Sequence, residues 1–173
     1  MINKKNLFLR KLAIKDIKKD YLNWMNDPDV VKYTEQRFKK HSLKSIKKFV
    51  LSKLSSKNEH IYGIFIKKNK NEFHIGNIKI GPIDYFHKTA DISYIIGYKK
   101  YWNKGLGSLA VKKIIELSRK KYRLKKITAG CYEMNKGSIE VLKKNKFIME
   151  ASFKNQINYK NKRIKKFVFG LIL

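Results

Sequence analysis

The stretch from Ala90 to Lys121 constrains the fold of this chain more than any other. Apolar, mostly β-branched residues run from Ile92 to Ile96, a short segment with two glycines follows, and apolar residues then recur at the spacing of an amphipathic helix. The order is strand, glycine-rich turn, helix. The first N–H groups of such a helix have no partner within it, and they lie at the positive end of its dipole. The stretch therefore predicts an anion site, and phosphate is the usual anion.

The glycines of the turn, Gly105 and Gly107, have no Cβ, so a diphosphate could approach the main chain closely. Two glycines beside a helix start are equally compatible with a simple tight connection. A kinase-type P-loop is excluded, because that motif needs Lys and Ser or Thr directly after its last glycine, where this chain has Ser108 and Leu109. A dinucleotide fingerprint fits poorly, because it should open the first βαβ unit and this motif lies past mid-chain.

The turn resembles a known loop. The segment Trp102–Gly107 is similar to the acyl-CoA pyrophosphate loop of the GNAT N-acetyltransferases. At Tyr101 and Trp102 the sequence is similar to the branch that contains ribosomal-protein N-terminal and amino-sugar acetyltransferases. Much of the superfamily has Arg or Gln at the position of Trp102. Four further stretches agree with this branch in order and spacing, so the resemblance covers essentially the whole chain. They are Leu9–Pro28, Ile75–Ile80, Ala90–Tyr94 and Asn135–Phe147.

The resemblance implies a fold and a reaction. The fold would be α+β, a single GNAT domain over residues 1–173, with a mixed, mostly antiparallel sheet of about seven strands and about four flanking helices. Strands four and five would splay apart, and the pantetheine arm of coenzyme A would fill the gap. The reaction would be direct transfer of acetyl from acetyl-CoA, the co-substrate, to a primary amine.

The resemblance also assigns the residues that bind acetyl-CoA. Backbone groups of the fourth strand, around Ile95 and Gly97, would pair with the pantetheine arm. Asn135 fits a helix N-cap and would open a second cofactor-binding segment. The residues implied in the loop itself are Trp102, Asn103, Lys104, Gly105, Leu106, Gly107 and Ser108.

Two residues are candidates for the chemistry, because the amine must lose a proton and the leaving thiolate benefits from a donor. Asp91 stands where the branch often has Glu and could relay a proton through water, although a plain exposed carboxylate is equally compatible. Much of the superfamily protonates the thiolate with a Tyr, and that position is Leu142 here. Ser138, one turn earlier, could donate to the sulfur instead. Tyr94 and Tyr132 are further hydroxyls without a family counterpart.

The acceptor is assigned less directly. In the family the early helices form one wall of the acceptor pocket, which makes Tyr33, Glu35 and Arg37 candidates. We also place His87 near the site, with an exposed loop histidine as the alternative. The favoured acceptor is a nucleotide-linked amino sugar, because Ile75–Gly97 looks closest to acetyltransferases of surface-polysaccharide pathways. The alternatives are a protein N-terminus or, from another class, a basic module that binds nucleic acid or coenzyme A without turnover.

The net charge is +29, from 42 Lys and Arg against 13 Asp and Glu. This charge favours anionic ligands such as coenzyme A or a nucleotide-linked sugar, and it disfavours polyamines. All but five of the cations are Lys, and they are spread along the chain without a basic arm. We therefore attribute the charge to composition and do not expect nucleic acid as a partner.

The remaining composition indicates an ordinary domain. With 173 residues and 43% hydrophobic residues, the chain can bury a normal core. No apolar run approaches the ~20 residues of a membrane span, and no secretory signal is visible, so we expect a cytoplasmic protein. The single cysteine, Cys131, excludes an internal disulfide, and the histidines lack metal-ligand spacing, so no metal is expected. A homodimer is compatible with the sequence.

Local patterns predict several boundaries. Apolar spacing over Ile14–Met25 predicts the first helix, and Ser42 is a suitable N-cap for the second. Gly81-Pro82 should end the third strand. Lys146 stands where the family usually has Gly, so either it tolerates the backbone conformation of that glycine or the helix ends differently. The apolar segment Val168–Leu173 predicts a strand buried on both faces.

Overall fold

Seven strands form the single sheet of this protein, which a computed structural model describes over residues 4–173. They are β1 (Leu7–Lys11), β2 (His60–Lys68), β3 (Asn71–Asp84), β4 (Thr89–Ile96), β5 (Lys126–Tyr132), β6 (Ile148–Tyr159) and β7 (Lys162–Ile172). Their spatial order is β1-β2-β3-β4-β5-β7-β6. Neighbouring strands run antiparallel except β4 and β5, which run parallel. The predicted α+β fold with a mixed, mostly antiparallel sheet is therefore confirmed.

Helices cover both faces of the sheet. They are α1 (Lys19–Asn26), α2 (Pro28–Val31), α3 (Leu43–Leu54), α4 (Leu106–Lys120) and α5 (Lys136–Lys144). One core lies between the sheet and α4 with α5, and it includes the fully buried Ala110, Ile114 and Leu142. A second core lies against α1 and α3 and includes Trp24 and Phe65. None of the helices within residues 4–173 combines the length and the apolar character needed to cross a membrane.

The parallel strands β4 and β5 pair over a short distance and then separate. Their register joins Thr89–Asp91 to Lys126–Thr128 and ends there. Beyond that point β4 stays paired with β3 as far as Ile96, and β5 stays paired with β7 as far as Tyr132. Each strand therefore follows its antiparallel neighbour, and a gap opens between the two. The predicted splay of the fourth and fifth strands is confirmed.

The first helix begins later than the apolar spacing predicts. Ile14 lies in a separate 3₁₀ turn, and α1 starts at Lys19. The interruption centres on Asp16, whose carboxylate accepts the Ala13 N–H at 2.7 Å. The same carboxylate accepts two hydrogen bonds from the Arg10 guanidinium, at 2.7 and 2.8 Å. These bonds fasten the turn to β1, so the helix cannot extend back through it.

Three other local predictions hold. Pro28 ends α1, and it also begins α2, a single turn that is additional to the expected helices. The Ser42 hydroxyl accepts the Ser45 N–H at 3.1 Å, so Ser42 caps α3. Lys146 adopts a positive φ of 66°, the conformation that a glycine would take at lower energy.

Two predictions about strands are wrong. The strand β3 continues through Gly81-Pro82 to Asp84, and the two residues are absorbed by a shift of register against β4. The end of β7 is buried on one face only. Phe169 and Leu171 face the first core, whereas Ile172 points to the other face and is 80% exposed.

Candidate active site

The helix α4 begins with free backbone donors. Gly105 precedes it in the left-handed conformation, with a φ of 76°, which a residue with a Cβ adopts only with strain. The first hydrogen bond of the helix runs from the Leu109 N–H to the Gly105 carbonyl at 3.1 Å. The N–H groups of Leu106, Gly107 and Ser108 therefore have no acceptor within the helix. This geometry suits the anion that the sequence predicts here.

Side chains hold the loop from two directions. The Trp102 Nε1–H donates to the Ile96 carbonyl at 2.8 Å, which ties the loop to the end of β4. The Asn145 amide donates to the Ser108 carbonyl at 3.1 Å and to its hydroxyl at 3.0 Å, which ties α5 to the first turn of α4. The side chains of Trp102 and Ser108 thus fix the shape of the loop.

The remaining loop residues differ in what they can offer. Asn103 and Lys104 are exposed, whereas the Leu106 side chain is buried in the core, so Leu106 can contribute only its backbone. The Lys4 ammonium lies beside the loop, 3.5 Å from where a Cβ on Gly105 would stand. Lys4 belongs to no motif, so sequence reasoning missed it. Its only signal is the basic composition of the segment before β1.

The gap between β4 and β5 is lined by the backbone of Tyr94 and Ile96. The Gly97 N–H donates to the Ile75 carbonyl at 2.8 Å, and Ile95 is likewise in register with β3. Successive residues of a strand direct their N–H and C=O groups to opposite sides, so the intervening residues face the gap. The sheet thus uses the Gly97 N–H, and the free N–H groups available to a pantetheine arm are those of Tyr94 and Ile96, each one residue from the predicted Ile95 and Gly97.

Ser138 meets a tyrosine hydroxyl at the start of α5. Asn135 caps this helix as predicted, with its side-chain oxygen accepting the Ser138 N–H at 3.1 Å. The Ser138 hydroxyl lies 2.9 Å from the Tyr94 hydroxyl. Burial raises the pKa of Tyr94 to about 12, so this phenol remains protonated at neutral pH. Leu142, one turn further along α5, is fully buried and carries no donor.

Asp91 lies apart from this pair. Its carboxylate is exposed and accepts a hydrogen bond from the Thr128 hydroxyl, at the last paired position of β4 and β5. Because side chains alternate along β4, Asp91 and Tyr94 point to opposite faces of the sheet. The structure therefore places Asp91 and Ser138, the two catalytic candidates, on different faces.

Three of the predicted acceptor residues surround Tyr132. The Glu35 carboxylate accepts a hydrogen bond from the Tyr132 hydroxyl, and the Arg37 guanidinium donates to the same hydroxyl at 2.6 Å. The ring of Tyr33 packs edge-on against Tyr132, with the ring centroids 6.5 Å apart. Burial, followed by the hydrogen bond to Glu35, raises the pKa of Tyr132. Tyr132 shares its face of the sheet with Thr128, so this group lies on the Asp91 side.

A basic cleft of about 500 Å³ opens next to Arg37. It lies between the α1–α2 region and the turn that joins β6 to β7, and Phe38 and Tyr159 supply aromatic surface. None of its lining residues, all within the described range, is acidic. The cations that line it are Lys32, Arg37, Lys39, Lys40 and Lys160.

His87 lies at the end of β4 opposite to the loop before α4, contrary to the prediction that it lies near the site. It is exposed in the turn directly before Thr89, and its N–H donates to the Asp84 carboxylate at 2.7 Å. The whole length of β4, at ~3.3 Å per residue, separates this turn from Ile96 and the loop that follows. The sequence neighbourhood of β4 is thus misleading, because His87 lies at the opposite end of the strand.

Cys131 on β5 is a buried core residue, as predicted. Burial raises the pKa of its thiol to about 11, so the thiolate that a nucleophile requires is not formed at neutral pH. Within the part of the chain that the structure describes, no three His, Cys, Asp or Glu side chains gather as a metal site would require.

Comparisons with known proteins agree with this geometry. The chain matches the acetyltransferase (GNAT) domain family over residues 6–148. It is 27% identical to an uncharacterized N-acetyltransferase, p20, of Bacillus licheniformis, over 96% of this chain and 92% of that protein. The structure superposes on a GNAT-family acetyltransferase from Bacillus anthracis with a TM-score of 0.82 and 23% identity, over 99% and 97% of the two chains. It superposes on a Vibrio cholerae spermidine N-acetyltransferase, solved with CoA and spermine, with a TM-score of 0.83 and 18% identity, over 97% and 96%.

Gly97 is a glycine because Trp24 packs directly on it. A Cβ at Gly97 would overlap the indole ring of Trp24. We expect Gly97→Ala to lower the free energy of unfolding by about 1–3 kcal/mol, the usual range for overpacking. The control is Gly137→Ala, where the nearest atom to the new Cβ is 4.0 Å away and helix propensity favours alanine. Urea unfolding of both variants checks this, and equal stability of Gly97→Ala and wild type would contradict it.

The start of α4 should determine acetyl-CoA binding. A Cβ at Gly107 would meet Val141 at 3.5 Å, an ordinary contact, so Gly107→Ala should fold and bind. Gly107→Glu adds a carboxylate next to the free N–H groups. Acetyl-CoA at 100 times its Kd should add about 2.7 kcal/mol to the stability of wild type and of Gly107→Ala, and nothing to that of Gly107→Glu. Thermal unfolding measures this, with ATP as the control, and equal stabilisation by ATP would contradict a specific site.

Proposed function

Because this chain belongs to the GNAT acetyltransferase family, we propose that it transfers the acetyl group of acetyl-CoA to the amine of a nucleotide-linked amino sugar. The family match makes the chain an N-acetyltransferase with acetyl-CoA as its co-substrate. The identity of the acceptor is the proposed part. The observation that supports it is the cleft beside Arg37, which five cationic side chains line and no carboxylate does.

The start of α4 is suited to the pyrophosphate of acetyl-CoA. The free N–H groups of its first turn point at an incoming anion, and the Lys4 ammonium beside Gly105 adds positive charge. From there the pantetheine arm would enter the gap between β4 and β5. The backbone N–H groups of Tyr94 and Ile96 would face the thioester, where fixed donors stabilise the oxygen as it gains charge.

The basic cleft is suited to the nucleotide half of the acceptor. Its lysines and Arg37 would neutralise the phosphates. The rings of Tyr33 and Tyr159 lie with their centroids 5.8 Å apart and offer flat apolar surface for a base. The Glu35 carboxylate, next to Arg37, would hold the amino group of the sugar by charge and hydrogen bonding.

Asp91, the candidate that would remove a proton from the acceptor, lies toward the opposite end of the sheet face that carries Tyr132. Thr128, Gly130 and Tyr132 alternate along β5 and share this face with Asp91. Gly130 is exposed and has no side chain, so the face is open beside the gap. The amine must be neutral to attack, and Asp91 would take its proton through a chain of water molecules, because Thr128, which pairs with Asp91, is four residues along β5 from Tyr132. The hydrogen bond from Thr128 keeps the Asp91 carboxylate oriented for this task.

A polyamine is the alternative acceptor, since one superposed protein is a spermidine N-acetyltransferase. The charges of this site oppose it, because the cleft would repel a polycation. Asp27 and Asp29 near the cleft both contact the Lys99 ammonium, at 2.9 and 3.0 Å, which offsets part of their negative charge. Both substrates can be tested side by side.

We expect acetyl transfer to be most efficient with nucleotide-linked amino sugars. The measurement is kcat/KM for such sugars, for the corresponding amino sugar 1-phosphates and free amino sugars, for spermidine, and for a peptide with a free N-terminus. Efficiency should fall in the order nucleotide-linked, phosphorylated, free, because each step removes contacts with the cleft. Preferred acetylation of spermidine or of the peptide would contradict the proposal.

Charge reversal in the cleft should act on the nucleotide and not on the sugar. We expect Lys32→Glu combined with Lys160→Glu to raise the KM of the nucleotide-linked acceptor about tenfold or more, a loss of about 1.4 kcal/mol. The KM of the free amino sugar should stay unchanged. The matched control is Lys44→Glu combined with Lys48→Glu, which makes the same change of net charge on the exposed face of α3. An equal effect of both pairs would mean that net charge alone determines binding.

A further inference from the structure

Two hydroxyl groups form a hydrogen bond at the gap between β4 and β5. The Tyr94 hydroxyl lies 2.9 Å from the Ser138 hydroxyl and 3.4 Å from the Ser138 carbonyl. The phenol has a single proton and is the more acidic of the two hydroxyls, and the Ser138 hydroxyl is a nearer acceptor for it than the carbonyl. Tyr94 is then the donor to Ser138, and the Ser138 proton is left for another acceptor.

The position of this pair relates it to the co-substrate. Tyr94 lies on β4 beyond Asp91, the last residue that pairs with β5, so it borders the gap. Ser138 lies in the first turn of α5, held by the cap that Asn135 provides. Both side chains are half-buried and remain reachable from the gap. Cys131, on the facing strand β5, is close enough to add to the rise of the Tyr94 pKa.

The position on α5 where the resembled enzymes often have a donor to the leaving sulfur is apolar in this chain. Leu142 stands where the resembled enzymes often have a tyrosine, and it is fully buried among apolar residues. A phenol cannot reach the gap from that position in this chain. Tyr94 brings a phenol to Ser138 from β4 instead.

We propose that Tyr94 and Ser138 form one hydrogen-bond relay that stabilises the thiolate leaving acetyl-CoA, in which Ser138 donates to the sulfur and Tyr94 donates to Ser138. Tyr94 acts through Ser138, so it is a positioning residue. The inference rests on acetyl-CoA as co-substrate and is independent of which amine accepts the acetyl group.

The acetyl transfer is balanced in atoms and electrons, and no proton passes from Tyr94 through Ser138 to the sulfur. The amine nitrogen bonds to the thioester carbon, the C–S bond breaks, and the sulfur leaves with the electron pair. The proton lost by nitrogen passes to solvent on the Asp91 side, and the thiolate later takes one from solvent. A free thiol has a pKa of about 8.5, well below that of Tyr94, so Tyr94 stays a donor while the thiolate forms. A hydrogen bond to an anion is stronger than one to a neutral atom, so the relay favours the transition state.

The same chain contains a matched pair of hydroxyls away from the gap. The Tyr62 and Tyr122 hydroxyls lie 2.6 Å apart. Tyr122 follows the C-terminal end of α4, and the length of that helix, at ~1.5 Å per residue, separates it from the loop. Tyr122→Phe therefore removes an equivalent hydroxyl pair with no route to the co-substrate.

The test measures the acidity of the thiol of bound coenzyme A. Wild type, Tyr94→Phe, Ser138→Ala, their double variant and Tyr122→Phe are each saturated with coenzyme A and titrated by the ultraviolet absorbance of the thiolate. Complexes with desulfo-CoA serve as blanks, so that Cys131 and the tyrosines are subtracted. No acceptor is needed. The same variants are then assayed for kcat and for the KM of acetyl-CoA.

We expect the bound thiol in wild type and Tyr122→Phe to titrate about one pH unit below the ordinary ~8.5, since a donated hydrogen bond favours the anion. Tyr94→Phe and Ser138→Ala should each raise that pKa by about one unit, and the double variant by no more than one single variant, as in a relay. The kcat of Tyr94→Phe should fall about tenfold with the KM of acetyl-CoA unchanged.

A thiol that titrates identically in wild type and Tyr94→Phe would overturn the relay, and so would an equal shift in Tyr122→Phe. Either result with normal coenzyme A binding leaves the proposed acceptor untouched. Failure of wild type to bind coenzyme A would overturn the relay together with the proposed function.

Discussion

The short pairing of β4 with β5 is the constraint on which the rest of the molecule depends. Three residues of each strand are in register, from Thr89 and from Lys126, and each strand then follows its antiparallel neighbour. The separation leaves the N–H groups of Tyr94 and Ile96, which face away from β3, without a strand partner on the β5 side. It also directs β4 straight into the loop that ends at Gly105, so the gap and the free N–H groups of α4 are adjacent. The early end of the β4–β5 pairing thus places the gap for the pantetheine arm next to the N–H groups that suit the pyrophosphate.

The sheet also separates the two kinds of chemistry. Side-chain alternation along β4 places Asp91 on the face of α1 and α3, and Tyr94 on the face of α4 and α5. An acceptor amine therefore approaches on the face where Glu35 and Tyr132 lie, and the leaving thiolate forms beside Ser138 on the other. The positive charge of the molecule acts on both faces, because the co-substrate and the proposed acceptor both carry phosphate.

Sequence reasoning was most successful where a local rule decides the structure. The strand–turn–helix order around Gly105 and the cap at Asn135 follow from neighbouring residues alone, and the structure contains both. It failed where the answer depends on register or distance. Which residues of β4 face the gap is set by their pairing with β3, so the free N–H groups lie one residue from the predicted Ile95. The hydrogen bond between Glu35 and Tyr132 joins positions 97 residues apart, and no pattern in the sequence indicates it. His87 is adjacent to β4 in sequence, yet it lies at the wrong end of that strand.

The most direct test of this account is a crystal structure of the protein with coenzyme A. We expect pyrophosphate oxygens to lie about 2.9 Å from the N–H groups of the first turn of α4, and the pantetheine arm to pair with the backbone of Tyr94 and Ile96. The sulfur should lie within hydrogen-bond reach of the Ser138 hydroxyl. Coenzyme A bound in the basic cleft beside Arg37, with the gap between β4 and β5 empty of pantetheine, would contradict it.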